Sequence, residues 1–322
     1  MKSLLIFISD IHYTGKKFEN EGIVLNAFMS DIRKIIQNYV DVNIYLLIGG
    51  DLVYSADDAS IYNKFEEEFI KPLVTMGINR DRIICVPGNH DIQRSWINEN
   101  KLIYTPMVDK QYGECDFNDL VENPNSVRFL TEKFDNFSNF IKEDISISNY
   151  NPILYNYELN DDWSIYCLNS SLTSYAGIDK KNDIKRLNLY TRKLYQLVST
   201  NLKKKILLLH HPLEYLSEWC SSELMKIIKL NFDIVLTGHT HNQDILCNNN
   251  CGDSYIWCQA PQLYSDKNDK LGYCLIELED IYLDKIIYRE WFSSRNAFRA
   301  GLDFTESEDG IIRFEKKKKI II

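Results

Sequence analysis

The sequence lacks any apolar run long enough to direct secretion or to cross a membrane. After Met1-Lys2-Ser3 the apolar run Leu4 to Ile8 has five residues. A secretory signal needs an apolar stretch of roughly 7–15 residues, and a membrane-spanning helix needs about 20. We therefore expect a cytoplasmic protein without membrane association.

The sequence also lacks an excess of positive charge. Its 37 lysine and arginine residues are outnumbered by 46 aspartate and glutamate residues, which gives a net charge of −9. Such a chain does not bind nucleic acid by general electrostatic attraction. Any polyanionic substrate must therefore be held by a local positive feature.

Cysteine is present, but not in a disulfide pattern. Eight cysteines in 322 residues do not make a disulfide scaffold, which is typical of short secreted chains. Cys85, Cys167 and Cys274 stand inside apolar runs and are interpreted as core residues. The cysteines that lie closer together are Cys247, Cys251 and Cys258. Their spacing matches no standard zinc pattern, so a zinc or redox role is disfavoured.

The chain does contain enough apolar material for a large core. Hydrophobic residues make up 45% of it, which excludes wholesale disorder. Five short apolar runs have the length of buried strands, and helical periodicity lies between them. These runs are Leu4–Ile8, Ile44–Ile48, Ile83–Val86, Ile206–Leu209 and Ile234–Leu236. The alternation predicts an α/β fold whose parallel strands open their carboxyl ends on one edge.

A polar cluster follows each of the five runs, and together these clusters hold all six histidines of the chain. They are Asp10-Ile11-His12, Gly50-Asp51, Gly88-Asn89-His90-Asp91, His210-His211-Pro212 and Gly238-His239-Thr240-His241. Each cluster alone is compatible with ordinary loop chemistry. Five of them at successive strand ends favour a metal site, and the mixed nitrogen and oxygen donors suit Mn²⁺, Fe²⁺ or Zn²⁺.

This ordered set resembles the signature of the calcineurin-like metallophosphoesterases over about residues 1 to 290. The resemblance implies a four-layer αββα sandwich and two divalent metal ions that share one bridging carboxylate. The implied ligands are Asp10, His12 and His241 for the first ion, Asn89, His210 and His239 for the second, and Asp51 for the bridge. His210 is preferred to His211 because it follows the strand directly, and its neighbour would point to the opposite face. His211 would then contact substrate or pack beneath its loop.

The ligand set suggests hydrolysis of a phosphodiester by a hydroxide that bridges the two metal ions. His90 would donate a proton to the leaving oxygen or stabilise charge on the equatorial oxygens, and Asp91 would orient the His90 ring. Two dications outweigh the charges of Asp10, Asp51 and one hydroxide. The site would therefore attract phosphate within an acidic protein.

The residues around the motifs narrow the range of possible substrates. Protein phosphatases of this superfamily carry an arginine soon after Gly-Asp and a glutamate after Gly-Asn-His, whereas this chain has Leu52-Val53-Tyr54-Ser55 and Asp91. The runs Gly50–Val53 and Val86–Asp91 are most similar to the class III cyclic-nucleotide phosphodiesterase branch. We expect a nucleotide-type substrate, either a cyclic nucleotide or a short oligonucleotide.

Two alternatives remain open. One is a DNA exo- or endonuclease similar to the nuclease subunits of recombination complexes, although Lys101, Lys110 and Arg128 form no basic stripe that would favour long nucleic acid. The other is a catalytically silent scaffold with the same fold. The complete ligand set argues against the scaffold.

We predict a metallophosphoesterase domain over residues 1–300, with a helical cap inserted at about 92–151, and a C-terminal hairpin and basic tail over 301–322. The cap would contain one amphipathic helix with apolar residues at Val127, Leu130, Phe134, Phe137 and Ile141. The closing hairpin would join Leu302–Thr305 to Ile311–Phe314, ahead of the tail Lys316–Ile322. Three aromatic residues near the motifs could hold a base, although core packing is the preferred interpretation. They are Tyr13, Tyr54 and Trp96.

Overall fold

The computed structural model describes residues 2–16, 19–241, 244–250, 253–265, 270–305 and 307–314, with only the backbone described for 244–250, 253 and 254. The strands are β1 (Lys2–Ile8), β2 (Asn43–Ile48), β3 (Ile83–Cys85), β4 (Leu154–Glu158), β5 (Trp163–Leu168), β6 (Lys204–Leu208), β7 (Ile234–Thr237), β8 (Asp244–Asn250), β9 (Asp253–Gln259), β10 (Gly272–Glu279), β11 (Tyr282–Phe292), β12 (Ala297–Ala300) and β13 (Ile311–Arg313). The helices are α1 (Asn20–Asn38), α2 (Ser60–Phe65), α3 (Lys71–Thr75), α4 (Arg94–Glu99), α5 (Lys101–Asp109), α6 (Glu114–Glu122), α7 (Pro124–Glu132), α8 (Asp135–Asn139), α9 (Thr191–Ser199) and α10 (Glu218–Asn231). Helix α2 continues into α3 through a π-helical turn at Glu66–Ile70, and a second π-helical turn, Phe140–Ile145, follows α8.

The strands form two mixed sheets. One has the order β12-β11-β10-β1-β2-β3, with β13 paired to β11, and the other has the order β4-β5-β6-β7-β9-β8. Strands β1, β2 and β3 run parallel in the first sheet, as do β5, β6, β7 and β9 in the second. Because parallel strands present their carboxyl ends at one edge, each sheet gathers its strand-end loops on one side.

Alternation along the strands shows how the layers pack. In β5, Ile165 and Cys167 belong to a first core, which is continuous with the packing of Phe28 of α1 on Tyr273 of β10. The intervening residues Tyr166 and Leu168 join a second core under α4–α7, α9 and α10. Side chains of a strand point alternately to its two faces, so helices cover the outer face of each sheet. The predicted four-layer αββα sandwich is confirmed.

The cap region differs from the single amphipathic helix that the periodicity predicts. The apolar positions are correct, but the chain leaves the helical conformation after Lys133, and Phe134 has φ −108° and ψ 15°. The main-chain carbonyl of Lys133 accepts a hydrogen bond from Gln93 N (2.9 Å) instead of continuing the helical ladder. The apolar series is thereby divided among α7, α8 and the second π-helical turn.

The predicted C-terminal hairpin is wrong. Leu302–Phe304 forms a short 3₁₀ turn, and β13 pairs antiparallel with the long strand β11 rather than with residues 302–305. All three residues of β13 pair with Lys285–Ile287 of β11, whereas residues 302–305 form no strand with which β13 could pair. The predicted basic tail lies outside the described residues.

The predicted core position of three cysteines is confirmed. Cys85, Cys167 and Cys274 are buried with free thiols, as expected for core residues. Cys258 is also buried, with Sγ 3.5 Å from the hydroxyl of Tyr288. Cys251 and the side chain of Cys247 lie outside the described part of the chain. Among the helices that are described, none combines the length and apolarity required to span a bilayer.

Candidate metal centre

The predicted ligands all follow strands, and the two sheets bring them together. Asp10 and His12 follow β1, Asp51 follows β2, and Asn89 follows β3 in the first sheet, while the three remaining ligands follow β6 and β7 in the second. Direct contact between the sheets is made where Nδ1 of His210 lies 2.7 Å from the main-chain oxygen of Gly49. The loops of both sheets therefore share one edge.

Five of these ligand positions have a left-handed backbone. Their φ angles are 53° for Asp10, 47° for His12, 53° for Asp51, 70° for His239 and 61° for His241. Residues other than glycine rarely adopt this conformation, and strained positions cluster at functional sites because the surrounding structure must hold them there. The backbone thus turns each of these side chains toward a common centre.

The ligands expected for a first ion lie together. Oδ1 of Asp10 is 3.3 Å from Nε2 of His241 and 3.8 Å from Nε2 of His12. Asp10 is fully buried, whereas 39% of the His241 side chain is exposed. One carboxylate and two imidazoles thus converge from β1 and β7, with an open side at His241.

A second group surrounds His210. Because Nδ1 of His210 donates to the carbonyl of Gly49, its Nε2 is left to face the site, 3.1 Å from Nδ1 of His239. A hydrogen bond on one ring nitrogen commonly orients the other for a metal. Oδ1 of Asn89 is buried beside these loops and has no hydrogen-bond partner.

Asp51 lies between the two groups. Its Oδ2 is 3.4 Å from Nε2 of His210 and 3.9 Å from Nε2 of His12, and its Oδ1 accepts a hydrogen bond from the main-chain N–H of His90 (2.7 Å). A carboxylate that is shared by two ions must lie between the ligand groups of both ions. Asp51 has this placement.

Gly88 makes this placement of Asp51 possible. A Cβ atom at Gly88 would lie 2.1 Å from Oδ1 of Asp51 and 2.5 Å from its main-chain nitrogen. Any side chain there would displace the carboxylate. Glycine in the Gly88-Asn89-His90-Asp91 motif is therefore required for close approach rather than for a positive φ angle.

The electrostatics of the cluster favour cation binding. Burial alone would raise the pKa of both carboxyl groups, but His241 lowers the pKa of Asp10 and His210 holds the pKa of Asp51 well below its usual range. Burial lowers the pKa of His12 to about 4 and that of His239 to about 3. These two imidazoles are thus neutral near pH 7, the form that binds metal.

His210 behaves differently. Burial disfavours its charged form, but the nearby Asp51 carboxylate outweighs this and raises the pKa of His210 to about 9. A divalent ion would replace the proton as the partner of Asp51, so metal binding should release a proton here.

The donor set fits divalent ions. Groups of ligand atoms from Asp10, Asp51 and the surrounding histidines lie within 4.8 Å of one another. Oδ1 of Asp10 and Oδ1 of Asn89 are buried without a hydrogen bond of acceptable geometry. Buried polar atoms are almost always paired, and a cation bound at each of these oxygens would satisfy it.

The structure places His90 in the site but corrects the role of Asp91. Nδ1 of His90 lies 2.8 Å from the main-chain oxygen of Tyr54, so Tyr54 rather than Asp91 orients the ring. The Asp91 carboxylate points beneath the loop and accepts hydrogen bonds from the N–H of Gly88 (2.9 Å) and the hydroxyl of Tyr62 (2.9 Å). Burial, followed by the charge of Asp51, raises the pKa of Asp91 to about 7. Asp91 therefore holds the loop and does not contact the His90 ring.

His211 is also not where strand alternation predicts it. Its ring lies 4.7 Å from the ring of His210 and 4.3 Å from that of His239, within the same cluster. Both His210 and His211 lie beyond the end of β6, where the chain turns and alternation no longer applies. Oγ of Ser170 contacts Nδ1 of His211 (3.0 Å), and the buried Nε2 has no partner.

The three aromatic candidates for base binding differ in burial and in their contacts. Tyr13 is buried with its hydroxyl bonded to Glu68 (2.6 Å), and the half-buried Trp96 packs on Tyr104 and Phe129 against the second core, so both serve packing as preferred. Tyr54 is 55% exposed, and its ring lies 5.4 Å from that of His90. Sequence reasoning missed Arg94, whose Nη2 is 3.4 Å from Nδ1 of His90. Its position four residues after a candidate catalytic histidine was the available signal.

Comparison with known proteins shows the family of the chain. The calcineurin-like phosphoesterase family model matches residues 4–243. An uncharacterised metallophosphoesterase-like protein, YydB of Bacillus subtilis strain 168, is 24% identical over 255 residues, which cover 75% of this chain and 49% of that protein. The chain thus spans about half the length of this relative.

Among solved structures, the purple acid phosphatase PPD1 of yellow lupin (Lupinus luteus) aligns with a TM-score of 0.50 and 11% identity over 97% of this chain and 54% of the phosphatase. This likeness concerns the fold. The family match extends over most of the chain and includes every motif of the metal centre. The chain belongs to the calcineurin-like phosphoesterase family.

Proposed function

We propose that this chain is a metal-dependent phosphodiesterase that holds two divalent ions, Mn²⁺, Fe²⁺ or Zn²⁺, and hydrolyses a nucleotide-type substrate. The observation that carries the proposal is the position of Asp51, whose Oδ2 lies within 4 Å of a histidine from each ligand group. The buried Oδ1 atoms of Asp10 and Asn89, which have no well-formed hydrogen bond, support it. An inactive scaffold would have no need for these strained and unpaired groups.

In this proposal Asp10, His12 and His241 hold one ion, Asn89, His210 and His239 hold the other, and Asp51 contacts both. Bound divalent ions supply Lewis-acid activation of water and of the phosphoryl oxygens. The residues of the chain fix the geometry, because His210 is oriented by Gly49 and Asp51 by the N–H of His90.

His90 is the proposed proton donor to the leaving oxygen. Its Nδ1 donates to the carbonyl of Tyr54, so its Nε2 is the atom available to the substrate. The ring lies 4.5 Å from that of His12, on the side of the first ligand group. The leaving group would therefore lie beside His90.

A small nucleotide is preferred to long nucleic acid. The cap cations named from the sequence are occupied: Lys101 pairs with Asp179 (2.5 Å), Arg128 pairs with Glu132 (2.9 Å), and Lys110 lies 4.9 Å over the ring of Tyr112. Pairing with acids reduces the net positive charge that the cap presents to a phosphate backbone. The resemblance to the class III branch supports a cyclic nucleotide or a short oligonucleotide as substrate.

The test is hydrolysis by the metal-reconstituted full chain. Bis(p-nitrophenyl) phosphate, cyclic mononucleotides, cyclic oligonucleotides, single-stranded DNA and p-nitrophenyl phosphate would be compared by kcat/KM after metal analysis. We expect hydrolysis of diesters, with nucleotides preferred to DNA. Exclusive hydrolysis of the monoester would refute the phosphodiesterase while leaving the metal centre in place, and a preference for DNA would favour the nuclease.

A further inference from the structure

Arg94 is a cation beside the site whose terminal nitrogens are not committed. It is half-buried at the start of α4, and its Nε donates to the main-chain oxygen of Ala176 (3.0 Å). Nη2 approaches Nδ1 of His90 at 3.4 Å. Among the described residues no carboxylate lies within 4 Å of its terminal nitrogens, although Asp57 is near enough to feel its charge. By contrast, Lys101 and Arg128 of the same helical layer are each paired with an acid. Donors therefore remain for an anion that enters the site.

The position of Arg94 is held from two sides. Ala176 belongs to the loop after β5, and the buried Lys133 anchors that loop by donating to the carbonyls of Leu172 (2.9 Å) and Ser174 (3.3 Å). On the other side, Oδ1 of Asp57 accepts from the N–H (2.7 Å) and the hydroxyl (2.8 Å) of the next residue, Ser95. A guanidinium fixed in this way loses little conformational entropy when it binds an anion.

Tyr54 forms the other wall beside His90. Its main-chain N–H donates to Tyr13 O (3.1 Å) and its carbonyl holds His90, so the backbone is fixed while the ring stays 55% exposed. The ring lies 5.4 Å from that of His90 and 6.4 Å from that of His12. An exposed ring on a fixed backbone is a suitable platform for stacking a base.

We propose that Tyr54 and Arg94 form a subsite for a nucleotide that carries a second phosphate. One phosphate lies among the metal ligands, the base stacks on Tyr54, and Arg94 binds the second phosphate through its terminal nitrogens. The planar guanidinium matches the oxygens of a phosphate group. This subsite rests on the proposed function and specifies its substrate class. It would select oligonucleotide-like substrates over cyclic mononucleotides, which have one phosphate.

The test is calorimetric titration of the Mn²⁺-loaded full chain with adenosine 3′,5′-bisphosphate, 5′-AMP, 3′-AMP and ribose 5-phosphate. A charge-assisted contact to Arg94 should make the bisphosphate bind roughly 10- to 100-fold more tightly than either monophosphate. Arg94→Gln should reduce this ratio to about 1 with unchanged metal content, and Arg94→Lys should restore part of it. Tyr54→Ala should bring 5′-AMP close to the affinity of ribose 5-phosphate.

Arg128→Gln is the matched control, because Arg128 is an exposed arginine of the same helical layer that pairs with Glu132. It should keep the full ratio. An undiminished ratio in Arg94→Gln, or equal binding of all three adenosine nucleotides by the unaltered chain, would overturn the proposal. A variant that loses only turnover on bis(p-nitrophenyl) phosphate would mean that Arg94 positions His90, which also overturns it.

These experiments distinguish failure of the phosphodiesterase proposal from failure of the subsite proposal. If the unaltered chain hydrolyses no diester but still prefers the bisphosphate, the subsite is supported and the phosphodiesterase is refuted. If it hydrolyses bis(p-nitrophenyl) phosphate but does not discriminate the bisphosphate, only the subsite is refuted. Absence of binding by every nucleotide contradicts both.

Discussion

The metal centre and the helical layer both bury charged side chains, but they treat them in opposite ways. At the metal centre, Asp10 is fully buried, and its Oδ1 has no well-formed hydrogen bond, as is true of Oδ1 of Asn89. In the helical layer, Lys133 is equally buried, and its Nζ donates to the carbonyls of Leu172 (2.9 Å) and Ser174 (3.3 Å) as well as to the Tyr104 hydroxyl. At the metal centre these buried oxygens lack a well-formed hydrogen bond, whereas the buried Lys133 ammonium has several.

The backbone shows the same difference. Asp10 and Asp51 both have φ 53°, whereas Lys133 ends a helix with φ −65° and ψ −7°. Unpaired groups and a strained backbone lower stability, so they persist where they serve binding. Buried charge alone does not identify a functional site. The combination of burial, missing partners and left-handed backbone does, and substitutions can test the distinction.

Asp51→Asn should have the largest effect. The amide removes the negative charge that both ligand groups share, so we expect loss of bound metal and a fall in kcat/KM of at least about 10³-fold, since metal ions supply several kcal/mol of transition-state stabilisation. Metal analysis and hydrolysis of bis(p-nitrophenyl) phosphate would check this. Full metal occupancy with an unchanged rate would show that Asp51 is not a bridging ligand.

His90→Ala should affect the rate without affecting the metal. The ring of His90 contacts Tyr54 O and Arg94, and its hydrogen bond to Asp51 is made by the main-chain N–H, which alanine retains. We therefore expect turnover to fall by ~10²–10⁴-fold with nearly intact metal content. Metal content and kcat would be measured on the same preparation. Loss of metal together with activity would instead make His90 a ligand.

Lys133→Met should lower stability and leave the metal centre intact. The substitution removes the partner of two buried carbonyls and a tyrosine hydroxyl, which should reduce the free energy of unfolding by about 2–4 kcal/mol. Urea unfolding of the metal-free protein measures this, and metal affinity should stay within about threefold of that of the unaltered chain.

The contrasting variant is Asn89→Ala. Because Oδ1 of Asn89 has no partner in the protein, its removal should change the free energy of unfolding of the metal-free chain by less than about 1 kcal/mol while weakening metal binding. If Asn89→Ala destabilised the chain more than Lys133→Met, the distinction between paired and unpaired buried groups would be wrong.

The fold and the ligand positions follow from the sequence because they depend on local signals. Apolar runs such as Leu4–Ile8 lie within strands, and the polar residues that follow directly are carried to the sheet edge whatever the remaining packing. The resemblance then supplied the division into two ligand groups. Strand β8 was not predicted, because three of its seven residues are asparagines, which strands disfavour.

Details that depend on contacts between distant segments were not predictable. The carbonyl of Tyr54 holds His90 across 36 positions, and the Asp91 carboxylate is drawn beneath the loop by Tyr62 and main-chain N–H groups. His211 turns toward the cluster because Ser170 contacts its ring. Sequence spacing carries no information about which of several nearby donors reaches a carboxylate or an imidazole first.

The last prediction concerns the pH dependence of stability. Burial lowers the pKa of Lys133 well below its usual 10.5, although the charge of Asp183 opposes this. Between the lowered pKa and 10.5 the unfolded chain holds a proton that the folded chain releases, so this lysine makes the protein more stable as pH rises. The difference in free energy of unfolding between the unaltered chain and Lys133→Met should therefore increase from pH 7 to pH 10, by at most about 1.4 kcal/mol per unit. Urea unfolding at each pH measures this slope, and a constant difference would show that Lys133 stays protonated in the folded protein, held by the carbonyls that surround it.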